Sequence, residues 1–214
     1  DQRQVGKVQE LACGFAGGVG AFHAMGRVYG VRFEDAIADK MVKAWRRANP
    51  WAPVYWSELE QAYMRAMRHP GTVFKAGRVQ YLFDGVHLWY ALPSERVLCY
   101  PFARIEDGAV TYAKSAWKPK AGANEWPRGR LWRGLACENV TQAIAADVLR
   151  EALRKLEADG VVLHVHDEIV IECPTENASH VEAAMRLVMS TPPTWAPDLP
   201  LAAEIKTMSR YGKG

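Results

Sequence analysis

The sequence predicts a mixed α/β protein of the α+β type, in which helical patterns come first and strand patterns follow. Apolar residues recur with helical spacing as far as Met67, and the alternation typical of strands begins at Thr72 and continues to Phe102. A long amphipathic pattern from Leu135 to Asp159 then leads into two short β-branched runs. These last two features predict a long helix followed by an antiparallel hairpin.

The composition limits the classes of protein that need to be considered. A chain of 214 residues that is 49% hydrophobic can form one large domain or two small ones. The four cysteines are widely spaced without a Cys-x-x-Cys pair, which argues against a zinc ribbon or a redox motif and favours a reducing compartment. No apolar run is long enough to span a membrane, so we expect a cytoplasmic protein of a bacterial or phage-infected cell without a membrane partner. Because the chain begins at Asp1, we also expect it to be a fragment.

The first predicted helix, Gln2 to Phe15, carries a graded row of side chains. Residues four apart lie near one another on a helix face, and each step rises about 6 Å. The row proceeds from two cations through an aliphatic side chain to an aromatic ring, as Arg3, Lys7, Leu11 and Phe15. A nucleoside triphosphate has the same gradation from phosphates through sugar to base. The alternative is an ordinary amphipathic helix with solvated cations at one end.

Two further helices are predicted, from Phe33 to Arg47 and from Val54 to Met67, with a break over residues 49–53. Their cations, including Arg46, are expected to form a solvated face. Four glycines follow the first helix between residues 14 and 20. They are interpreted as a C-cap and a bend, because a phosphate-binding loop needs a preceding strand and a following Gly-Lys-Ser/Thr.

A basic segment follows the predicted strands. From Thr111 to Gly134 there are six cations and the single anion Glu125, a net charge of +5. Three tryptophans alternate with the cations, and this combination suits a phosphate backbone with unstacked bases. The alternative is a solvated basic loop. The cations are Lys114, Lys118, Lys120, Arg128, Arg130 and Arg133, and the tryptophans are Trp117, Trp126 and Trp132.

The predicted hairpin, residues 161–173, contains an unusual turn. Two buried strands, Val161 to Val165 and Ile169 to Ile171, flank His166, Asp167 and Glu168. A two-residue hairpin turn usually contains glycine, yet here two carboxylates occupy the reversal. Departures from local rules are expected at functional sites, although an ordinary solvated turn is the simpler interpretation. A zinc site is a third interpretation, because His164 and His166 are expected on one strand face.

Several of these motifs together resemble the family A DNA polymerases, the group of bacterial DNA polymerase I and its phage relatives. The phage branch resembles the chain more closely. The motifs are Arg3-x3-Lys7-x3-Leu11-x3-Phe15-Ala16, Leu92-Pro93-Ser94-Glu95-Arg96, Glu138-Asn139-Val140-Thr141-Gln142-Ala143, and His166-Asp167-Glu168. The chain departs from the family pattern at Leu11 (usually aromatic), at Phe15 (usually Tyr), and at Ala16 and Glu95 (usually Gly).

The resemblance implies a helical fingers subdomain over residues 1–131 and the C-terminal part of a palm over residues 132–214. In the fingers, Arg3 and Lys7 would hold the triphosphate of a dNTP, with Lys7 also protonating the leaving pyrophosphate. Leu11 and Phe15 would lie against the sugar and the nascent base pair.

In the palm, Asp167 would be a ligand of catalytic Mg²⁺, with Glu168 in a supporting catalytic role and His166 at the primer end or phosphate. Gln142 and Glu138 would contact the primer-template DNA, since a Gln side chain can meet the minor-groove acceptors of every base pair. The DNA-binding residues expected in the basic segment are Lys118, Lys120, Arg128, Arg130 and Arg133.

The expected site is incomplete, because two-metal catalysis needs two Mg²⁺ ions and more than one carboxylate. In the family, the other Asp, the thumb and the first palm strands precede the fingers helix. The expected partners are therefore DNA, dNTP and an upstream part of the same polypeptide, and the chain alone is expected to be inactive. Two alternatives remain: a metal-dependent hydrolase built on His164, His166 and Asp167, and a non-catalytic DNA-binding remnant.

Overall fold

The structure is a computed structural model that describes residues 2–114 and 126–212. It divides into two compact units, Asp1–Thr141 and Gln142–Gly214. Helices and antiparallel sheets occur together, which confirms the predicted α/β class. The boundary falls ten residues after the predicted division at 131/132. The names fingers and palm remain predictions. None of the described helices is long and apolar enough to cross a membrane.

Four helices begin the first unit. They are α1 (Gln2–Cys13), α2 (Val19–Val28), α3 (Asp35–Ala48) and α4 (Trp51–Arg68). The chain turns after α1 over residues 14–16, as predicted, but the sequence did not predict α2, which starts directly after Gly18. Phe22 explains this short helix, since its ring is buried against Phe33 with 4.9 Å between ring centroids. Burial of one apolar face can outweigh weak helix propensity.

Helix α4 begins three residues earlier than predicted. Only Asn49 and Pro50 separate it from α3, and Pro53 lies in its first turn. A proline is tolerated there because the first helical N–H groups have no intrahelical acceptor. The predicted break over residues 49–53 therefore shrinks to two residues.

A four-stranded antiparallel sheet covers α4. Its strands are β1 (Phe74–Ala76), β2 (Val79–Phe83), β3 (Leu88–Ala91) and β4 (Val97–Tyr100), in the order β1-β2-β3-β4. The strands alternate between a buried face and an outer face. Tyr81 and Tyr90 are opposite each other on the buried face, and Tyr81 packs edge-on against Tyr63 of α4. Burial raises the pKa of Tyr81 well above its usual value.

A three-stranded antiparallel sheet continues the unit, with β5 (Arg104–Glu106), β6 (Ala109–Ala113) and β7 (Arg128–Arg130). Tyr112 packs against Tyr100 of the first sheet with 5.0 Å between ring centroids. The Tyr112 ring also covers Gly129, where a Cβ would lie 2.9 Å from a ring carbon. A glycine is needed at this position because any side chain would displace the tyrosine.

The predicted long helix is confirmed as α5 (Arg133–Leu156), followed by a short 3-10 helix, Glu157–Asp159. Gly160, with φ +93°, ends it as predicted. In the second unit, β8 (Val161–Val165) and β9 (Glu168–Ile171) form the predicted hairpin. The last helix, α6 (Ala178–Ser190), begins three residues later than predicted, after a short 3-10 helix, Thr175–Asn177.

The core of the second unit forms where α5, β9 and α6 meet, around Leu156, Ile169 and Met185. Two predictions about strands were wrong here. Strand β8 is not buried, since Val162 is 55% and Leu163 37% exposed. The predicted strand from Leu199 to Ile205 has no regular structure. A strand needs a ladder partner, and in the described part of the chain β8 and β9 pair only with each other.

Candidate active site and nucleic-acid interface

Helix α1 presents the graded row on an exposed face. Arg3 and Lys7 are exposed and Leu11 is 41% exposed, whereas Val8 on the same helix is fully buried. Phe15 is half-buried and lies just beyond the helix end. The Lys7 ammonium lies 5.8 Å from the ring centroid of Tyr29, within range of a cation–π contact. The row therefore has the accessibility that a nucleotide site requires.

Two tryptophans anchor the end of α1. The indole Nε1 of Trp45 donates a hydrogen bond of 3.0 Å to the Glu10 carboxylate. The indole Nε1 of Trp56 donates one of 3.1 Å to the carbonyl oxygen of Gly14. The two indoles are stacked, with 6.2 Å between their centroids. Helices α3 and α4 therefore fix the last turn of the helix that carries the row.

Arg46 extends this anchor to the turn between α1 and α2. Its guanidinium donates a 3.1 Å hydrogen bond to the Gly17 carbonyl and lies 6.0 Å from the Trp56 ring. The expectation that Arg46 belongs to a solvated face was wrong, since the unsatisfied carbonyls after α1 provide it with an acceptor. No local pattern signals these contacts, because the partners are 29 to 42 residues apart.

Ala16 has a left-handed backbone conformation, with φ +61°. This is the position where the family A pattern has Gly. Glu95, the other substituted glycine position, likewise has φ +66°. The chain keeps the left-handed conformation at both positions despite the Cβ, which this region of φ and ψ disfavours.

The hairpin turn consists of His166 and Asp167, because Val165 pairs with Glu168 across the strands. The expectation that Asp167 and Glu168 both occupy the reversal was wrong by one residue. His166 has φ +55°, at the first turn position where a type II′ turn usually contains glycine. The Asp167 side chain is exposed, and no other described side chain hydrogen-bonds to its carboxylate. The hairpin thus presents one free carboxylate at its tip.

Glu168 has a partner that the sequence did not predict. The hydroxyl of Tyr211 donates a 3.2 Å hydrogen bond to Oε2 of Glu168 and thereby raises the pKa of the tyrosine. The C-terminal segment thus returns to the hairpin, and the two adjacent carboxylates have different surroundings. Contacts between residues 43 apart leave no periodic signal in a sequence.

The described residues contain no cluster of three or more His, Cys, Asp or Glu side chains that could hold a metal ion. The zinc interpretation expected His164 and His166 on one strand face. This is not the case, because β8 ends at Val165 and His166 lies in the turn. Asp167 fits as a single oxygen ligand of Mg²⁺, which prefers few protein carboxylates together with water and substrate phosphates.

The candidate DNA-contacting residues differ in accessibility. On α5, Gln142 is exposed and Glu138 is half-exposed. Asn139 of the same motif donates a 2.9 Å hydrogen bond to the Tyr100 hydroxyl, so it ties the start of α5 to the first sheet.

The candidate cations of the basic segment also differ. Arg130 and Arg133 are exposed. Arg128 is engaged within the protein, because its guanidinium donates hydrogen bonds to Thr111 Oγ1 of β6 and to the carbonyl oxygen of Phe102, just before β5. Lys118 and Lys120 lie outside the described residues.

Comparison with known proteins agrees with the motifs. The chain is 34% identical over 216 residues to the DNA polymerase of Bacillus phage SP02, a match that covers 99% of the chain. It is also 32% identical over 88 residues to DNA polymerase I of Borreliella burgdorferi, which covers 37% of the chain. The chain is homologous to DNA polymerases. No family model and no solved structure matches it.

The chain spans about one third of the phage polymerase and 9% of the Borreliella DNA polymerase I. The homology confirms the resemblance inferred from the motifs. The roles of individual residues remain predictions, which the exposed row of α1 and the exposed Asp167 support.

Proposed function

We propose that this chain supplies the nucleotide-binding helix and one metal-binding carboxylate of a DNA polymerase that adds dNTPs to a primer 3′ end on a DNA template. The observation that carries the proposal is the exposed Asp167 at the tip of a two-residue hairpin, in a chain homologous to polymerases along nearly its whole length. The two-residue turn fixes the backbone of Asp167 before any ligand binds, which limits the reorganisation that binding requires.

Nucleotidyl transfer depends on positioning and charge neutralisation more than on covalent chemistry. Arg3 and Lys7 would neutralise the triphosphate, and Lys7 would donate a proton to the leaving pyrophosphate. Leu11 would contact the sugar and Phe15 the base. Metal ions at such a site neutralise the charge that develops on the attacking and leaving oxygens.

Residues of the hairpin and of α5 would complete the chain's own contribution. Asp167 would supply one oxygen ligand to Mg²⁺, and His166 would hydrogen-bond to the primer end or to a phosphate. Glu168, with its hydrogen bond from Tyr211, would support Asp167. Gln142 and Glu138, together with Arg130 and Arg133, would contact the primer-template DNA.

The remaining metal ligands would come from another part of the polypeptide. The exposed Val162 and Leu163 of β8 support this, because a hydrophobic edge strand normally acquires a pairing strand or a cover. We propose that the first palm strands of the polymerase pair with this hairpin and carry a further carboxylate. The 214-residue chain alone is then expected not to extend a primer.

A chimera tests the proposed function. Residues 1–214 replace the aligned segment of the phage SP02 polymerase, and primer extension and primer-template affinity are measured with Mg²⁺. Asp167→Asn should lower extension by at least about 100-fold, the scale of losing one electrostatic contact in the transition state. DNA affinity should stay within about twofold. Asp198→Asn, at an exposed position in the same unit, is the control and should be neutral.

Near-normal extension by the Asp167→Asn chimera would refute the role of the carboxylate. A chimera that binds DNA but does not extend a primer, under conditions where the SP02 enzyme is active, would favour the non-catalytic DNA-binding alternative.

A further inference from the structure

Phe102 is held in a strained backbone conformation with its ring half exposed. Its φ is +49°, which is unusual for a bulky side chain, and the side chain is 50% exposed. Its N–H donates a 3.0 Å hydrogen bond to Nδ1 of His87, and its carbonyl accepts one of 2.8 Å from Arg128. Strained residues of this kind persist only where surrounding contacts enforce them, and they concentrate at functional sites.

The ring of Phe102 belongs to a row of three aromatic rings, which we call the stacking cluster: His87, Trp89 and Phe102. His87 lies edge-on to Phe102 at 5.0 Å and to Trp89 at 5.7 Å between centroids. Trp89 is on the outer face of the first sheet, opposite Leu82 and Cys99 and away from the buried tyrosines.

Asp84 fixes the other end of the cluster. One carboxylate oxygen accepts the indole N–H of Trp89 at 2.7 Å, and the other accepts the backbone N–H groups of Val86 and His87. The charge of Asp84 is thus used to orient the rings, and these hydrogen bonds lower its pKa to about 2. The cluster is ordered before any ligand arrives, which lowers the entropic cost of binding.

Cations surround the Phe102 turn. Arg104 and Arg130 are exposed, and both are in register with Thr111 across β5, β6 and β7. Exposed Lys114 follows Ala113, whose N–H donates a 2.8 Å hydrogen bond to the Pro101 carbonyl. With Arg128, this gives four cations beside three anions, Asp84, Glu106 and Asp107, of which Asp84 and Glu106 accept hydrogen bonds.

We propose that the stacking cluster binds unpaired bases of a DNA strand, with Phe102 as the main stacking surface and Arg104 and Lys114 on the phosphates. Exposed rings stack on the faces of bases of any sequence, but only where those faces are not already stacked in a duplex. The cations match the phosphate charge. The choice of DNA as the ligand rests on the proposed polymerase function, while the site shares no residue with the α1 row or with the hairpin that carries Asp167.

The test measures DNA binding by residues 1–214 without nucleotide, Mg²⁺ or extension, so its outcome is independent of the Asp167 experiment. Fluorescence anisotropy reports the affinity for a labelled 12-nucleotide oligo(dT) and for a duplex of equal length. Wild type should prefer the single strand. Phe102→Gly removes the ring and suits positive φ, so it should weaken single-strand binding about tenfold, as expected for one base stack. Its duplex affinity should change less than twofold.

Two further variants separate stacking from backbone effects. Phe102→Trp keeps an aromatic face and should retain single-strand affinity. Asp107→Gly places glycine at another left-handed position, with φ +50°, and should leave affinity unchanged. Melting temperatures confirm that each variant is folded.

Three results would overturn the proposal. They are no preference for single strands in the wild type, unchanged single-strand affinity in Phe102→Gly, and an equal loss of duplex and single-strand affinity. The first of these, together with binding of a protein ligand that Phe102→Gly abolishes, would identify the cluster as a protein-docking surface instead.

Discussion

The indole of Trp56 hydrogen-bonds to the carbonyl oxygen of Gly14, so a residue of α4 holds the last turn of α1. Trp56 is 3% exposed, and the carbonyl is left without an intrahelical partner at the helix end. The position of the graded row of α1 therefore depends on a contact made 42 residues away.

Trp56→Phe should lower the free energy of unfolding by about 1–3 kcal/mol, the cost of leaving a buried acceptor without its donor. Chemical denaturation monitored by circular dichroism measures this change. Trp51→Phe in the same helix is the matched control, because Trp51 is 63% exposed. It should change stability by less than about 0.5 kcal/mol. Equal effects of the two substitutions would show that the hydrogen bond does not matter.

Ala16→Gly and Glu95→Gly should each raise the free energy of unfolding, by about 0.5–1 kcal/mol. Both positions have positive φ, where a Cβ costs roughly 1–2 kcal/mol and glycine recovers part of that cost after its own entropy loss. Ala145→Gly, at an exposed position inside α5, should instead lower the free energy of unfolding by about 1 kcal/mol. Destabilisation by all three would contradict the strain argument.

Lys7→Ala should weaken dNTP binding to the 214-residue chain about tenfold, equivalent to ~1.4 kcal/mol. A charge-assisted contact to a phosphate is lost, whereas the exposed face of α1 needs no repacking. Lys40→Ala removes the same charge from an exposed position on α3 and should be neutral. Fluorescent nucleotide titration measures both variants. Similar losses in both would indicate non-specific charge attraction.

The contribution of Asp84 to stability should depend on pH. Hydrogen bonds from the His87 N–H, the Trp89 indole and the Val86 N–H lower the pKa of its carboxyl to about 2. Since the folded pKa is below the unfolded one, the stabilisation is present above about pH 4 and disappears as the pH falls to about 2. The difference in melting temperature between wild type and Asp84→Asn should therefore shrink over that window. A constant difference would refute the linkage.

Local patterns predicted much of the fold because most elements bury one regular face. The stripes of α3, α4 and α5 and the alternation at Tyr81 and Tyr90 are examples. Helix α2 was not predicted from the sequence. Its ten residues lie among glycines, and the contact between Phe22 and Phe33 that stabilises it is a tertiary contact.

The candidate site was predictable where a motif specified both residue type and spacing, as in the exposed Arg3–Lys7–Leu11 row. The hairpin register was not, because it depends on the pairing of Val165 with Glu168 across the strands. The contacts of Arg46 and Tyr211 join distant segments and could not be predicted from spacing.

The two-residue turn at His166 and Asp167 should not tolerate inserted residues, whereas another turn of the same length should. Asp107 and Gly108 form a second two-residue turn, between β5 and β6, in which both residues are exposed and have positive φ. Extra residues there would lengthen a surface loop while both strands keep their pairing. At residues 166–167 the same addition would displace the Asp167 carboxylate from the hairpin tip. An insertion library of the SP02 chimera, selected for polymerase activity, should therefore retain lengthened turns at residues 107–108 and lose them at residues 166–167.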